Sequence, residues 1–148
     1  MDSQKQISAG TADLSLPKNC LCGALSRALR AVRKDYDAAL RDSGVTSAQF
    51  SILTTLSIIG EVAISELAAT MGTDRTTLTR NIAPLVKAGL VAELHHEDQR
   101  VRRLGLSDAG RKIHGDAVKG WRRAQDRLAD TIGTEKAGTL VETLNAIH

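Results

Sequence analysis

The chain has 148 residues, 42% hydrophobic and 25% charged, with 20 Lys and Arg against 17 Asp and Glu and a formal charge of +3. That length is enough for one domain with a real core, and so small a surplus of positive charge does not by itself name a nucleic-acid partner. Aromatic content of 2% argues against single-strand recognition by base stacking, and no apolar run approaches the ~20 residues that span a bilayer.

Residues 1–16 are polar, lack a signal-peptide core and read as a flexible tail. The two cysteines, one residue apart, make no disulfide framework, and a reducing cytoplasmic location is expected. A long amphipathic helix is predicted from Pro17 to about Ser43, with Leu21, Leu25, Ala28, Leu29, Val32, Tyr36, Ala39 and Leu40 on one side. Cys20 and Cys22 fall in its first turns, where amide donors and the dipole favour a reactive thiolate. The alternative is that both are small apolar fillers at a subunit seam. Residues two apart on a helix point about 200° from one another, which disfavours a bond between them.

Thr46 is placed to cap a second helix in which Phe50, Leu53, Leu56 and Ile59 repeat and which Gly60 closes. A short helix follows, Ile64–Met71, with Ile64, Leu67, Ala68 and Met71 in one apolar stripe. Gly72 supplies a turn, and Thr73 or Asp74 can cap the next helix, about Asp74 to Ala88. This is helix-turn-helix grammar. The second helix buries Leu78, Ile82, Leu85 and Val86 and presents Arg75, Thr76, Thr77, Thr79, Arg80 and Asn81, hydroxyls and guanidinium forks suited to phosphates and base edges. Lys87 is a phosphate contact or merely solvated. Pro84 removes an amide donor, so a kink rather than a helix end is expected there.

After Gly89 the pattern reads strand (Leu90–His95), polar loop (His96–Arg102) and strand (Arg103–Ser107), a wing whose Val91, Leu94, Leu104 and Leu106 can bury while Arg100, Arg102 and Arg103 project. The basic surplus is local: Arg75, Arg80, Lys87, Arg100, Arg102 and Arg103 face only Glu93, Glu97 and Asp98. The string His95-His96-Glu97-Asp98 invites a metal, but neighbours on a strand point to opposite faces, so none is expected. Ser107 caps a helix extending to about Ile132, with Ala109, Ile113, Ala117, Trp121, Ala124 and Leu128 inward. Thr134 begins a last helix with Ala137, Leu140, Val141, Leu144 and Ile147 on one face. The apolar faces of the end helices are expected to meet a second subunit, making a homodimer.

The run from Asp98 to Gly110, with Leu67-Ala68, Leu78-Thr79-Arg80, Leu85 and Gly89-Leu90-Val91 in order before it, resembles the multiple antibiotic resistance regulator (MarR) family of winged helix-turn-helix transcription factors. The resemblance covers about residues 18–148. It implies a mainly α fold with a small β-wing: a tail over 1–16 and a single domain over 17–148, its DNA-reading unit at 46–106 and its dimerisation helices at 17–43 and 107–148. By that resemblance Asp98 orients the wing through an ion pair and Arg100 enters the minor groove, while Arg75, Thr76, Thr77, Thr79 and Arg80 lie in the major groove. The partner implied is a pseudo-palindromic double-stranded operator, bound by a homodimeric repressor without a cofactor or a membrane.

The signal is less specified. Asn19–Leu25 resembles the segment around the peroxide-reactive cysteine in the family's organic hydroperoxide resistance branch, with Cys22 and Tyr36 at matching positions, but Ser26, Ser47 and Phe50 stand where that branch has further tyrosines. A redox regulator acting through Cys22 is one reading. The other is a small aromatic or anionic effector in a pocket lined by Arg27, Arg30, Tyr36, Phe50 and Trp121. A protein-interaction module fits worse, because its exposed helix face should be apolar or acidic. An enzyme fits no better, since no histidine lies near Cys22 in sequence.

Overall fold

The computed structural model describes residues 11–95 and 102–147, and the chain divides into two compact units, residues 1–32 and 33–148. In the first unit Pro17–Asn19 form a single 3-10 turn, and the Asn19 amide side chain donates to the Asp13 carbonyl at 2.6 Å. Cys20 then takes an extended ψ of 122°, and its carbonyl accepts from the Ala24 amide at 2.9 Å. The expected single helix from Pro17 is therefore broken at Cys20, and α1 runs Leu21–Leu40 with a further 3-10 turn over Arg41–Ser43. Cys20 precedes the helix instead of lying in it.

In the second unit α2, Ser47–Ile59, opens with a full capping box: the Thr46 hydroxyl accepts from Gln49 N, and Gln49 Oε1 accepts from Thr46 N. Gly60 closes it at φ 75°. Phe50, Leu53 and Leu56 bury as expected, and Ile52 joins them. Ile59 does not: the last residue of α2, it is 41% exposed and lies beyond the core. A two-residue strand that periodicity cannot reveal, β1 (Val62–Ala63), follows. Next come α3 (Ile64–Thr70), α4 (Arg75–Lys87), β2 (Val91–His95), β3 (Arg102–Leu106), α5 (Asp108–Ile132) and α6 (Thr134–Asn145).

The strands form one antiparallel sheet in the order β1-β3-β2, with Val62 opposite Leu104 and Val91 opposite Leu106. Leu53, Leu56, Leu67, Leu78, Leu85, Val91 and Leu104, all nearly inaccessible, join α2, α3, α4 and the sheet into one core. Truncating any of these leucines to Ala would cost about 2–5 kcal/mol, the usual range for a buried aliphatic side chain. The winged helix-turn-helix expected from the sequence is thus the architecture present.

Ser107 and Gly110 explain why the chain needs those residue types where the wing meets α5. The Ser107 hydroxyl accepts from Gly110 N and donates to the Gly89 carbonyl at 2.6 Å, which fastens the start of α5 to the end of α4. At Gly110 a Cβ would stand 2.0 Å from the Leu90 carbonyl oxygen, so only glycine permits the approach. Gly120 does the same farther along α5, where a Cβ would lie 2.3 Å from the Ala39 carbonyl oxygen of α1.

Candidate nucleic-acid interface and an adjoining cavity

The apolar stripe of α4, Leu78, Ile82 and Leu85, is buried, so helical spacing turns Arg75, Thr76, Thr79 and Arg80 outward, and all four are exposed. Gly72, at φ 59°, makes the turn from α3, and Asp74 caps α4 by accepting from Thr77 N at 2.8 Å. The Thr77 hydroxyl donates to the same carboxylate at 2.6 Å, and these two bonds hold the Asp74 carboxyl below its ordinary range. Thr77, half-buried, therefore also helps to build the helix start. The Thr79 hydroxyl donates back to the Arg75 carbonyl at 2.7 Å, leaving its oxygen free only to accept. The guanidinium groups of Arg75 and Arg80 make no hydrogen bond or ion pair among the described residues. Pro84 lies inside α4, which continues through it to Lys87, as expected of a proline that does not end the helix.

In the wing, Arg102 belongs to β3 and not to the loop, one residue earlier than the sequence pattern placed the strand. It pairs across from His95, and its guanidinium bonds the Glu93 carboxylate, which holds its pKa above the usual value. Arg103 points to the other face, as strand alternation requires, and donates to the Glu61 carbonyl at 2.7 Å. Both arginines are tied into the fold instead of standing free at a tip. Asp98 and Arg100, with His96, Glu97, Gln99 and Val101, lie outside the described residues.

A second feature lies between α1, α2 and α5: a cavity of about 450 Å³ lined by Tyr36, Ser47, Phe50, Ser51, Thr54, Thr55, His114, Val118 and Trp121. Three of the residues expected at an effector pocket, Tyr36, Phe50 and Trp121, converge here. Phe50 stacks on His114 at 5.4 Å between ring centres and on Trp121 at 6.2 Å, both within 27° of parallel. The Tyr36 hydroxyl donates to Gln125 Oε1, and burial raises its pKa. His114, which the sequence reading did not single out, shares a 3.0 Å hydrogen bond with Thr54, and burial holds its ring below the ordinary imidazole range. Its position one turn before Val118 and two before Trp121 on α5 was the available signal. Arg27 and Arg30 belong to the 1–32 unit, where both are exposed, as are the free thiols Cys20 and Cys22.

Among known proteins, the family model described as the MarR family matches residues 45–101. Comparison with curated proteins gives no match. Among solved structures, the transcriptional regulator MosR of M. tuberculosis, in complex with DNA, is 36% identical over 87% of this chain and 98% of its own, with a TM-score of 0.72. The transcriptional repressor CouR bound to a 23-mer DNA duplex is 28% identical, covering 93% of this chain and 99% of its own at a TM-score of 0.81. CouR bound to p-coumaroyl-CoA is similar at 27% identity, 93% and 97% coverage and a TM-score of 0.80. The winged helix-turn-helix, the arginine-bearing face of α4 and the identity to MosR along nearly all of that chain agree: this chain belongs to the MarR family of transcriptional regulators.

Proposed function

We propose that this regulator binds double-stranded DNA in a sequence-specific way as a homodimer in the cytoplasm, and that it is a repressor released when a small molecule fills the cavity beside Trp121. The observation that carries the DNA reading is the exposed face of α4, where the guanidinium groups of Arg75 and Arg80 have no internal partner among the described residues. Two cations left free beside Thr76 and Thr79 suit phosphates and guanine edges, with the threonine oxygens able to accept from base amino groups. Arg102 and Arg103 then set the pitch of the wing while Arg100 enters the minor groove and Asp98 orients it. Residues 46–106 are the reading unit, and 17–43 with 107–148 are the pairing helices. MosR and CouR, both solved on DNA, support the reading, as does the acyl-CoA complex of CouR for a small-molecule effector.

Selection of bound sequences from a random DNA pool tests it. Two half-sites of opposite orientation, one turn of duplex or about 34 Å apart, are the expected enrichment. Recovery of sequences without any inverted repeat would refute the dimeric, sequence-specific reading.

A further inference from the structure

The outward face of α4 is not uniformly polar. Thr76, Thr79, Arg80, Ala83 and Lys87 follow one another at steps of three or four residues and so share one side of the helix, and all are exposed, as is Pro84 beside them. The residues that fasten α4 to the core, Leu78, Ile82 and Leu85, lie on the opposite side. Ala83 and Pro84 stand outside that packing. Pro84 is the costlier of the two, since it gives up the amide that would bond the Arg80 carbonyl, at a position where a polar helix former would serve the fold as well.

Thr79 extends this apolar pair. Its hydroxyl donates to the Arg75 carbonyl at 2.7 Å, so the methyl is the half of the side chain that the helix leaves uncommitted. Thr79 lies four residues before Ala83, and the three residues make a continuous apolar strip with Arg80 one turn before it and Lys87 one turn after. Among the donors and acceptors of the major groove, the 5-methyl of thymine is the apolar group on display. Ala and Pro lose no rotamer freedom when covered, so a methyl laid against them is held at little entropic cost. Along the helix axis Ala83 stands about 4.5 Å from Arg80, against about 3.4 Å between stacked base pairs. The strip therefore falls about one or two base pairs from whatever Arg80 reads.

We propose that Ala83, flanked by Thr79 and Pro84, is a specificity-determining residue that packs on the 5-methyl of a thymine one or two base pairs from the guanine contacted by Arg80. The proposal rests on the reading of α4 as the DNA-binding helix, and it adds an apolar contact to a face otherwise read through charge and hydrogen bonds.

The duplex that the full chain selects from a random pool supplies the probe, and the guanine is the position whose preference Arg80→Ala relaxes. Replacing the neighbouring thymine with deoxyuridine removes the methyl and alters no hydrogen-bonding group. Affinity is expected to fall about fourfold, which is ~0.8 kcal/mol for one buried methyl, while uracil in the flanks outside both half-sites changes nothing. In Ala83→Gly, where no Cβ remains to meet the methyl, the same replacement should cost nothing further. Ala83→Asn, which serves if glycine weakens the helix, should lose the preference for thymine when selection is repeated. Uracil bound as tightly as thymine by the native chain, or no thymine within two base pairs of that guanine, would overturn the methyl contact and leave DNA reading by α4 standing. An equal loss in the native chain and in Ala83→Gly, or the same thymine selected by Ala83→Asn, would assign the methyl to another group and overturn the role of Ala83. A pool that yields no preferred sequence would overturn the DNA reading itself.

Discussion

Arg80 and Arg103 show how residues of one type divide between two tasks. Arg80 is exposed with no partner among the described residues, whereas the Arg103 guanidinium donates to the Glu61 carbonyl and joins β3 to the segment before β1. Arg80→Ala is therefore expected to weaken binding of the selected duplex by about 1–3 kcal/mol and relax preference at a single base pair, as loss of a bidentate guanine contact does. Thermal stability should hardly move. Measured affinities over a set of single-base variants check this, and an equal loss on every sequence would make Arg80 a phosphate contact. The outward face of α4 was legible in the sequence because helical period and apolar spacing together fix which side chains point away from a core. The cavity was legible only in part. Tyr36, Phe50 and Trp121 stand out by type, but Ser47, Ser51, Thr54 and Thr55 on α2 and His114 on α5 are ordinary polar residues until the fold brings the two helices together. The tying of Arg102 to Glu93 was equally hidden, since it depends on strand register and not on composition.

At the scale of elements, boundaries followed from caps wherever a cap had a clear chemical signature. Thr46, Asp74 and Ser107 each accept an amide three residues on, and Gly60 and Gly133 sit at positive φ where α2 and α5 end. What periodicity could not give was β1, which is too short to show alternation and is made a strand by pairing with β3. It could not give the break at Cys20 either, because a helical stripe continues across it in sequence while one extended ψ interrupts it in space. The junction of wing and α5 offers a test with opposite signs on the same helix. At Gly110 an added methyl meets the Leu90 carbonyl oxygen at 2.0 Å, and that backbone cannot swing aside as a side chain would. Gly110→Ala is expected to lower stability by about 1–3 kcal/mol or more, the usual cost of overpacking. At Gly115 nothing lies within 4 Å, so Gly115→Ala should raise stability by roughly 0.5–1 kcal/mol through helix propensity alone. Denaturation midpoints in urea measure both. A stable Gly110→Ala would mean that the close approach of α5 to Leu90 does not constrain the fold.

At the scale of the whole molecule, a single copy leaves apolar surface that a folded chain ordinarily covers. Leu21, Leu25 and Leu29 are 63%, 41% and 51% exposed, and on α6 Leu140, Val141 and Leu144 are 42%, 51% and 36% exposed on one helical face. Scattered exposed leucines are normal, but an i, i+1, i+4 cluster on α6 marks a surface for association. A second copy is the proposed cover, since two-fold pairing satisfies the same face on both protomers and sets two α4 helices at a fixed spacing. Introducing charge there should act on assembly first and on DNA second. Leu144→Glu is expected to shift the sedimenting species from twice the 15.8 kDa chain mass to that mass at micromolar concentration. Because both half-sites must then be filled by separate molecules, affinity for the full operator should fall at least tenfold while affinity for an isolated half-site stays the same. Lys136→Glu changes charge by two units on the same helix outside the apolar cluster and serves as the control. If Leu144→Glu remains a dimer, α6 is not the seam. If it becomes a monomer and still binds the full operator as tightly as the native chain, pairing contributes nothing to recognition, and α4 with its wing reads DNA alone.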